Sequence, residues 1–216
     1  MNNASRIIET LLERHGQTYA EELGIDIGRN EPAPLFQLLC LALLFSARIR
    51  ASIAVDAMRA LLEAGWTTAE HMAGADWSAR VRVLNRAGYA RFDEKTSTML
   101  GEASELLLDR YRGDLRKLRE AAGKDAGRER KLLKDIKGIG DVGVDIFFRD
   151  AQAAWPELWP FADAKSLDGA RRLGLPADPD ELAGFVEKQE FPRLVTALVR
   201  MDFAGDADDI RSAAGT

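Results

Sequence analysis

Apolar residues recur every three or four positions along nearly the whole chain, the spacing of helices that bury one face. Ile7, Ile8, Leu11 and Leu12 predict a helix over residues 4–15 that stops at Gly16, and a short one follows over 19–23. Gly28 to Pro34 is a breaker segment. Residues 35–47 are apolar on every side and predict a central, fully buried helix. Further helices are expected over 52–64, from Thr67 to Ala73, over 78–87 behind Asp76, over 92–111 and over 115–122. Gly123–Gly127 reads as a loop, and Gly88–Arg91 as a connector. Later come helices over 163–173, 179–189 with Pro179 in the first turn, and 191–203. The tail from Gly205 reads as polar and frayed. No stretch alternates with the period of a strand, so the fold class is all-α.

One stretch stands apart, KLLKDIKGIGDVGVDIFF at 131–148. It reads as a helix, a glycine-punctuated hairpin at Lys137, Gly138, Ile139, Gly140 and Asp141, and a second helix reaching about Ala154. Ile139 would plug the joint between the helices. The glycines leave backbone N–H groups uncovered at the positive end of the second helix, an arrangement that suits an anion such as a nucleic-acid phosphate.

Composition narrows the classes. The 216 residues, 46% hydrophobic, are enough for one compact domain or two interlocked small ones. The single cysteine, Cys40, lies in an apolar run and reads as packing; it excludes an internal disulfide and a cysteine-held zinc or iron–sulfur site. The N-terminus is polar and amphipathic rather than a signal peptide, and the longest apolar run is too short for a bilayer, so a cytoplasmic protein with no membrane partner is expected. A net charge of −5 argues against a general nucleic-acid binder, whose footprint is basic. Basic residues nevertheless gather at Arg48–Arg50, Arg80–Arg91 and Arg128–Lys137, while acidic ones gather near the C-terminus.

KDIKGIGDVGVDIF followed by PFADAKSLDGARRLGL resembles the helix-hairpin-helix DNA glycosylases of the endonuclease III type. Ile136, Gly138, Ile139 and Gly140 match that family's hairpin, with Lys137 in place of its usual proline. Asp163 matches the aspartate that opens the next helix, and Arg171 to Leu175 match that helix's end. Upstream, Pro34–Leu39 with Leu44–Ala47 is similar to the family's buried helix, and Gly88–Arg91 to its connecting loop. The resemblance spans residues 5–200 or so. It implies two interlocked helical lobes with a cleft between them: residues 31–157 as a helical barrel containing the hairpin, and residues 1–30 with 158–216 as a discontinuous second lobe. The implied partner is double-stranded DNA carrying a damaged or mismatched base, bound by a monomer. A sodium or potassium ion at the hairpin carbonyls is the one cofactor implied, with no side-chain metal ligands.

Three departures qualify the activity. Where bifunctional members carry a lysine, this chain has Val142, which cannot form a Schiff base. No cysteines follow Cys40, so the iron–sulfur loop of many relatives is missing. Arg48 stands where the family places the glutamine that fills the gap in the base stack.

Breaking an N-glycosidic bond builds positive charge on the sugar, which a carboxylate can stabilise while it orients water. The resemblance assigns that role to Asp163, implying base excision without a lyase step. Asp163 also suits a plain N-cap. Lys165, two residues on, should point away from it. Asp145 reads as a solvated or helix-pairing acid. Tyr89 is the candidate wedge and Arg48 the candidate plug for a flipped base. Arg80, Arg82, Arg86 and Arg91 could line a phosphate track or form a solvated helix face. Trp155, Trp159 and Phe161 could wall the base pocket or pin their loop to the core. His15 and His71 read as surface residues. Two other classes stand beside the enzyme: a non-catalytic DNA-binding protein on the same fold, and a helical protein–protein adaptor.

Overall fold

The computed structural model describes residues 3–215, and among them the only regular structure is helical. The longer elements are α1 (Asn3–His15), α2 (Tyr19–Glu22), α3 (Pro32–Phe45), α4 (Ala51–Glu63), α5 (Ala69–Gly74), α6 (Trp77–Leu84) and α7 (Asp93–Tyr111). They continue as α8 (Leu115–Ala121), α9 (Ala126–Lys134), α10 (Asp141–Ala151), α11 (Ala164–Leu173), α12 (Pro179–Ala183), α13 (Phe191–Ala204) and α14 (Ala207–Gly215). None of these helices is long and apolar enough to cross a membrane.

Two apolar cores divide the molecule. The first is built around α3, whose residues from Leu38 to Leu44 are all buried, as its all-round hydrophobicity requires. Helices α4 to α10 contribute side chains to it. The second core gathers Ile7, Ile8 and Leu11 from α1 with apolar residues of α11, α13 and α14. The first and last parts of the chain thus share one core.

Several expectations need correction. Residues 20–30 belong to the first core, because Ala20, Ile25 and Ile27 are buried there; only α1 crosses to the second. On the return, Leu158 still packs in the first core, while Trp159 and Ala162 pack on the second. The helix begun at Pro179 ends at Ala183, where Gly184 caps it, and a linker ending in a 3-10 turn at Lys188–Glu190 leads to α13, which has Pro192 in its first turn. The tail is not frayed: α14 buries Ile210 and Ala214, four residues apart on one face. The stretch after Gly123 is helical from Ala126, because the Asp125 side chain accepts from Arg128 N at 2.8 Å and starts α9 early. Helix α10 stops at Ala151, three residues short of the expected end.

Candidate active site between the lobes

The hairpin joins α9 to α10. Gly138 has φ +94°, and a Cβ there would stand 2.6 Å from Met99 Sδ, so only glycine fits. Ile139 is 4% exposed and its N–H donates to Ile136 O at 3.0 Å, making it the plug of the joint. Gly143 lets α10 approach α3: a Cβ there would meet Ser46 Oγ at 2.9 Å. Lys137, Gly140, Asp141 and Val142 remain exposed at the N-terminus of α10. Lys137 Nζ pairs with Glu102 at 2.9 Å. Asp141 accepts from Lys134 Nζ at 2.8 and 2.9 Å, and that bond, with Arg130 3.8 Å away, holds its carboxyl below the usual range. The Asp141 charge, which alone would repel a phosphate, is therefore matched by cations of α9.

Asp163 is buried at the N-cap of α11. Its Oδ1 accepts from Ser166 N at 3.2 Å and from the Ser166 hydroxyl. Its Oδ2 accepts from Arg149 Nη2 at 3.0 Å, an ion pair with both side chains largely shielded from solvent. Capping and facing a cavity are compatible here. Asp163 lines a cavity of about 320 Å³ together with Tyr19, Phe45, Ile146, Val199 and Phe203 and with Val142, Asp145, Arg149 and Lys165. Helix α10 brings Val142, Asp145, Ile146 and Arg149 to it along one face, at spacings of three and four. Gly169 lets α11 lie against α13, where a Cβ would meet Leu198 O at 2.6 Å. This crossing seats Asp163 opposite Val199 and Phe203.

The loop before Asp163 is clamped by Gln152, buried at 2% exposure. Its side chain donates to Phe161 O at 3.0 Å and accepts from Phe161 N at 2.9 Å. Nothing local in the sequence marks Gln152 as the anchor of the residue two before Asp163. Tyr19, Phe45 and Phe203 were likewise invisible as pocket walls, since they lie on three separate helices, α2, α3 and α13, and converge only in space.

The other expected site residues are placed as follows. Tyr89 is not a wedge: its ring is fully buried and its hydroxyl donates to Leu44 O at 2.7 Å, tying the connector to α3. Arg48 is exposed just past the end of α3. Trp155 is a core residue, with its ring edge-on to Phe147 at 5.4 Å and its Nε1 donating to Asn30 Oδ1. Trp159 packs on Phe191, and Phe161 on Phe148. None of the three lines the cavity; they pin the loop to the core. Arg80 is buried as well, donating to the carbonyls of Met72, Ala75 and Ser97, so it cannot touch a phosphate. Arg82, Arg86 and Arg91 are exposed. Lys165 does reach the cavity margin beside Asp163, its Nζ paired with Asp202 and lying over the Phe203 ring. Asp145 pairs with Arg130 at 2.6 Å, a bond between the two hairpin helices. His15 is half-buried against Asp206, whereas His71 is exposed. Cys40 is buried, and burial pushes its thiol pKa up.

No protein-family model matches the chain, and no curated protein matches it by sequence. Solved structures do. The chain is similar to the Helicobacter pylori 3-methyladenine DNA glycosylase bound to 1,N6-ethenoadenine, with 15% identity, a TM-score of 0.57, and coverage of 94% of this chain and 98% of that one. A trapped endonuclease III–DNA covalent intermediate matches over 76% of this chain and 71% of the other, at 16% identity and a TM-score of 0.48. At 15% identity the first likeness is one of fold, and it extends over both lobes: this chain has the all-helical fold of a base-excision DNA glycosylase structure.

Proposed function

We propose that this chain is a DNA glycosylase that hydrolyses the N-glycosidic bond of a damaged or mismatched base, with Asp163 as the carboxylate at the reacting sugar. The observation that carries the reading is the position of Asp163. It lies at a helix start on the wall of an apolar cavity between the two cores, and the hairpin helix α10 contributes Val142 to the same cavity. The shared fold, found over nearly the full length, supports it.

In this reading the exposed backbone at the N-terminus of α10 holds a phosphate of the lesion strand. The target base turns out of the duplex into the cavity and stacks among Tyr19, Phe45 and Phe203. Arg48, exposed past α3, fills the space it leaves. Asp163 faces the sugar, stabilises the positive charge that develops at C1′ and orients the attacking water. Ser166 and Arg149 hold the carboxylate in place. Val142 offers methyl groups where an amine would be needed, so water is the nucleophile and the backbone is left intact. Two hairpin carbonyls, those of Ile136 and Gly140, accept from Ile139 N and Val144 N; on this reading, other carbonyls of the loop would hold a monovalent cation of the sodium or potassium class.

An excision assay over duplexes with single damaged or mismatched bases tests this. Alkali-labile abasic sites should form with the wild type, and Asp163→Asn should slow their formation by about 100-fold or more while duplex binding persists. Equal rates would remove Asp163 from the mechanism. One observation favours a second reading, a DNA-binding protein without catalysis on the same fold: the Asp163 carboxylate is already paired with Arg149. Duplex binding with no excision across the panel would select it.

A further inference from the structure

The cavity beside Asp163 has a polar balance that the proposed reaction does not require. Its acids are all committed: Asp145 to Arg130, and Asp163 to Arg149 and Ser166. Two of its three aromatic rings are committed too. The Arg200 guanidinium lies 3.9 Å over the Tyr19 ring, and Lys165 Nζ lies 5.0 Å over Phe203. Arg149 is the contrast. It is 8% exposed, its Nη2 serves Asp163, and its Nε is buried without a partner. A guanidinium has five N–H donors and no acceptor, so spare capacity there can be met only by an incoming acceptor. A buried, under-satisfied donor costs free energy until a ligand supplies one.

A cationic base, such as an N3-alkylated adenine, would find no uncommitted carboxylate here. Two of the three aromatic rings that could hold it by cation–π attraction, Tyr19 and Phe203, already carry protein cations, which leaves Phe45. It would also sit against Arg149 and Lys165. A neutral base with a ring carbonyl, such as uracil or hypoxanthine, stacks on the same aromatic rings and presents an acceptor.

On the glycosylase reading of this cavity, we infer that Arg149 is its specificity-determining residue, donating to a ring carbonyl of the extruded base, so that the site takes neutral carbonyl-bearing bases in preference to cationic alkylated ones. The planar fork of Arg149 serves both partners at once, Asp163 through Nη2 and the base through its remaining N–H groups.

Excision and binding are measured in parallel on duplexes holding uracil, hypoxanthine, 1,N6-ethenoadenine (neutral, without a carbonyl) or 3-methyladenine (cationic, without a carbonyl). For binding, the same bases are carried on 2′-fluorinated sugars that resist cleavage. Wild type should bind the two carbonyl-bearing duplexes about tenfold or more tighter than the other two. Arg149→Met should erase that preference, and Arg149→Lys, which keeps a cationic donor, should restore part of it. Because Arg149→Met strands a buried carboxylate, its effect is also read as Arg149→Met/Asp163→Asn against Asp163→Asn alone. A uniform loss over all four bases, or tighter binding of 3-methyladenine, overturns the inference. Carbonyl preference in binding without excision of any base leaves the inference standing and removes the proposed catalysis. Excision without carbonyl preference does the reverse.

Discussion

Val142 is 63% exposed on the first turn of α10 and lines the same cavity as Asp163. On the proposed reading, the side chain there decides between hydrolysis and covalent chemistry. Val142→Lys should therefore yield a borohydride-trapped DNA adduct that the wild type does not form, measured by gel shift on a duplex with an abasic site. Failure of the variant to trap would mean that the first turn of α10 lies too far from C1′. Asp163 shows how one residue carries two roles, since the carboxylate that caps α11 also faces the cavity. Tyr89 and Arg80 show the opposite. Both are polar residues in stretches that read as surface, yet each is buried because its donors meet backbone carbonyls 2.7 to 3.1 Å away. Such partners lie in other elements, so spacing along the chain carries no sign of them.

At the scale of elements, the hairpin is braced from behind by an acid pair. Glu129, in the first turn of α9, is fully buried beside Glu157 of the turn at Pro156–Leu158, and Arg119 of α8 binds Glu157 at 2.5 and 2.6 Å. Burial, followed by the neighbouring Glu157, raises the Glu129 carboxyl to about 8. Protonated, Glu129 sits neutral beside Glu157; ionised, it would place two charges together out of water. The folded state thus holds a proton that the unfolded chain releases near the ordinary carboxyl pKa of about 4.3. Its contribution to stability is complete below that value and is lost as pH rises toward 8. Asp150, raised by burial to about 7, acts in the same direction. Glu129→Gln keeps the shape and a donor but cannot ionise. Its melting temperature should match the wild type at pH 5 and exceed it by roughly 3–6 °C at pH 8.5, in thermal melts across that range. A pH-independent difference would mean that the pair is not the source. Asp150 contributes to the slope that remains in the variant.

For the molecule as a whole, a net charge of −5 limits what DNA binding can look like. Many cations are already matched, Lys134 with Asp141 and Lys137 with Glu102 among them. The log–log dependence of duplex affinity on salt should then be shallow, with a slope of about −2 to −4. Glu102→Gln, which releases Lys137, should steepen it by about one, as read by fluorescence anisotropy at several salt concentrations. A flat line would favour the adaptor class over any DNA-binding reading. The helical class and the hairpin were legible along the chain, because 3.6-residue periodicity and glycine spacing are local properties, whereas Asp163 became the candidate carboxylate only through the resemblance. The lobe boundary was legible only in part. That the two ends of the chain share a core followed from the resemblance, but the assignment of Ala20, Ile25 and Ile27 to the other core depends on which helices meet in space. A cleft holding Asp163 was expected from the resemblance, but the pocket's other walls were not legible. Its walls come from α2, α3, α10, α11 and α13, and the aromatic residues nearest Asp163 in sequence turned inward to anchor a loop. The sequence by itself determined the elements and the groups available for chemistry. Only the tertiary structure decided which of them face a common cavity and which spend their polar atoms on the core. Burial and partnering are set by packing between segments far apart in the chain, which no local pattern encodes.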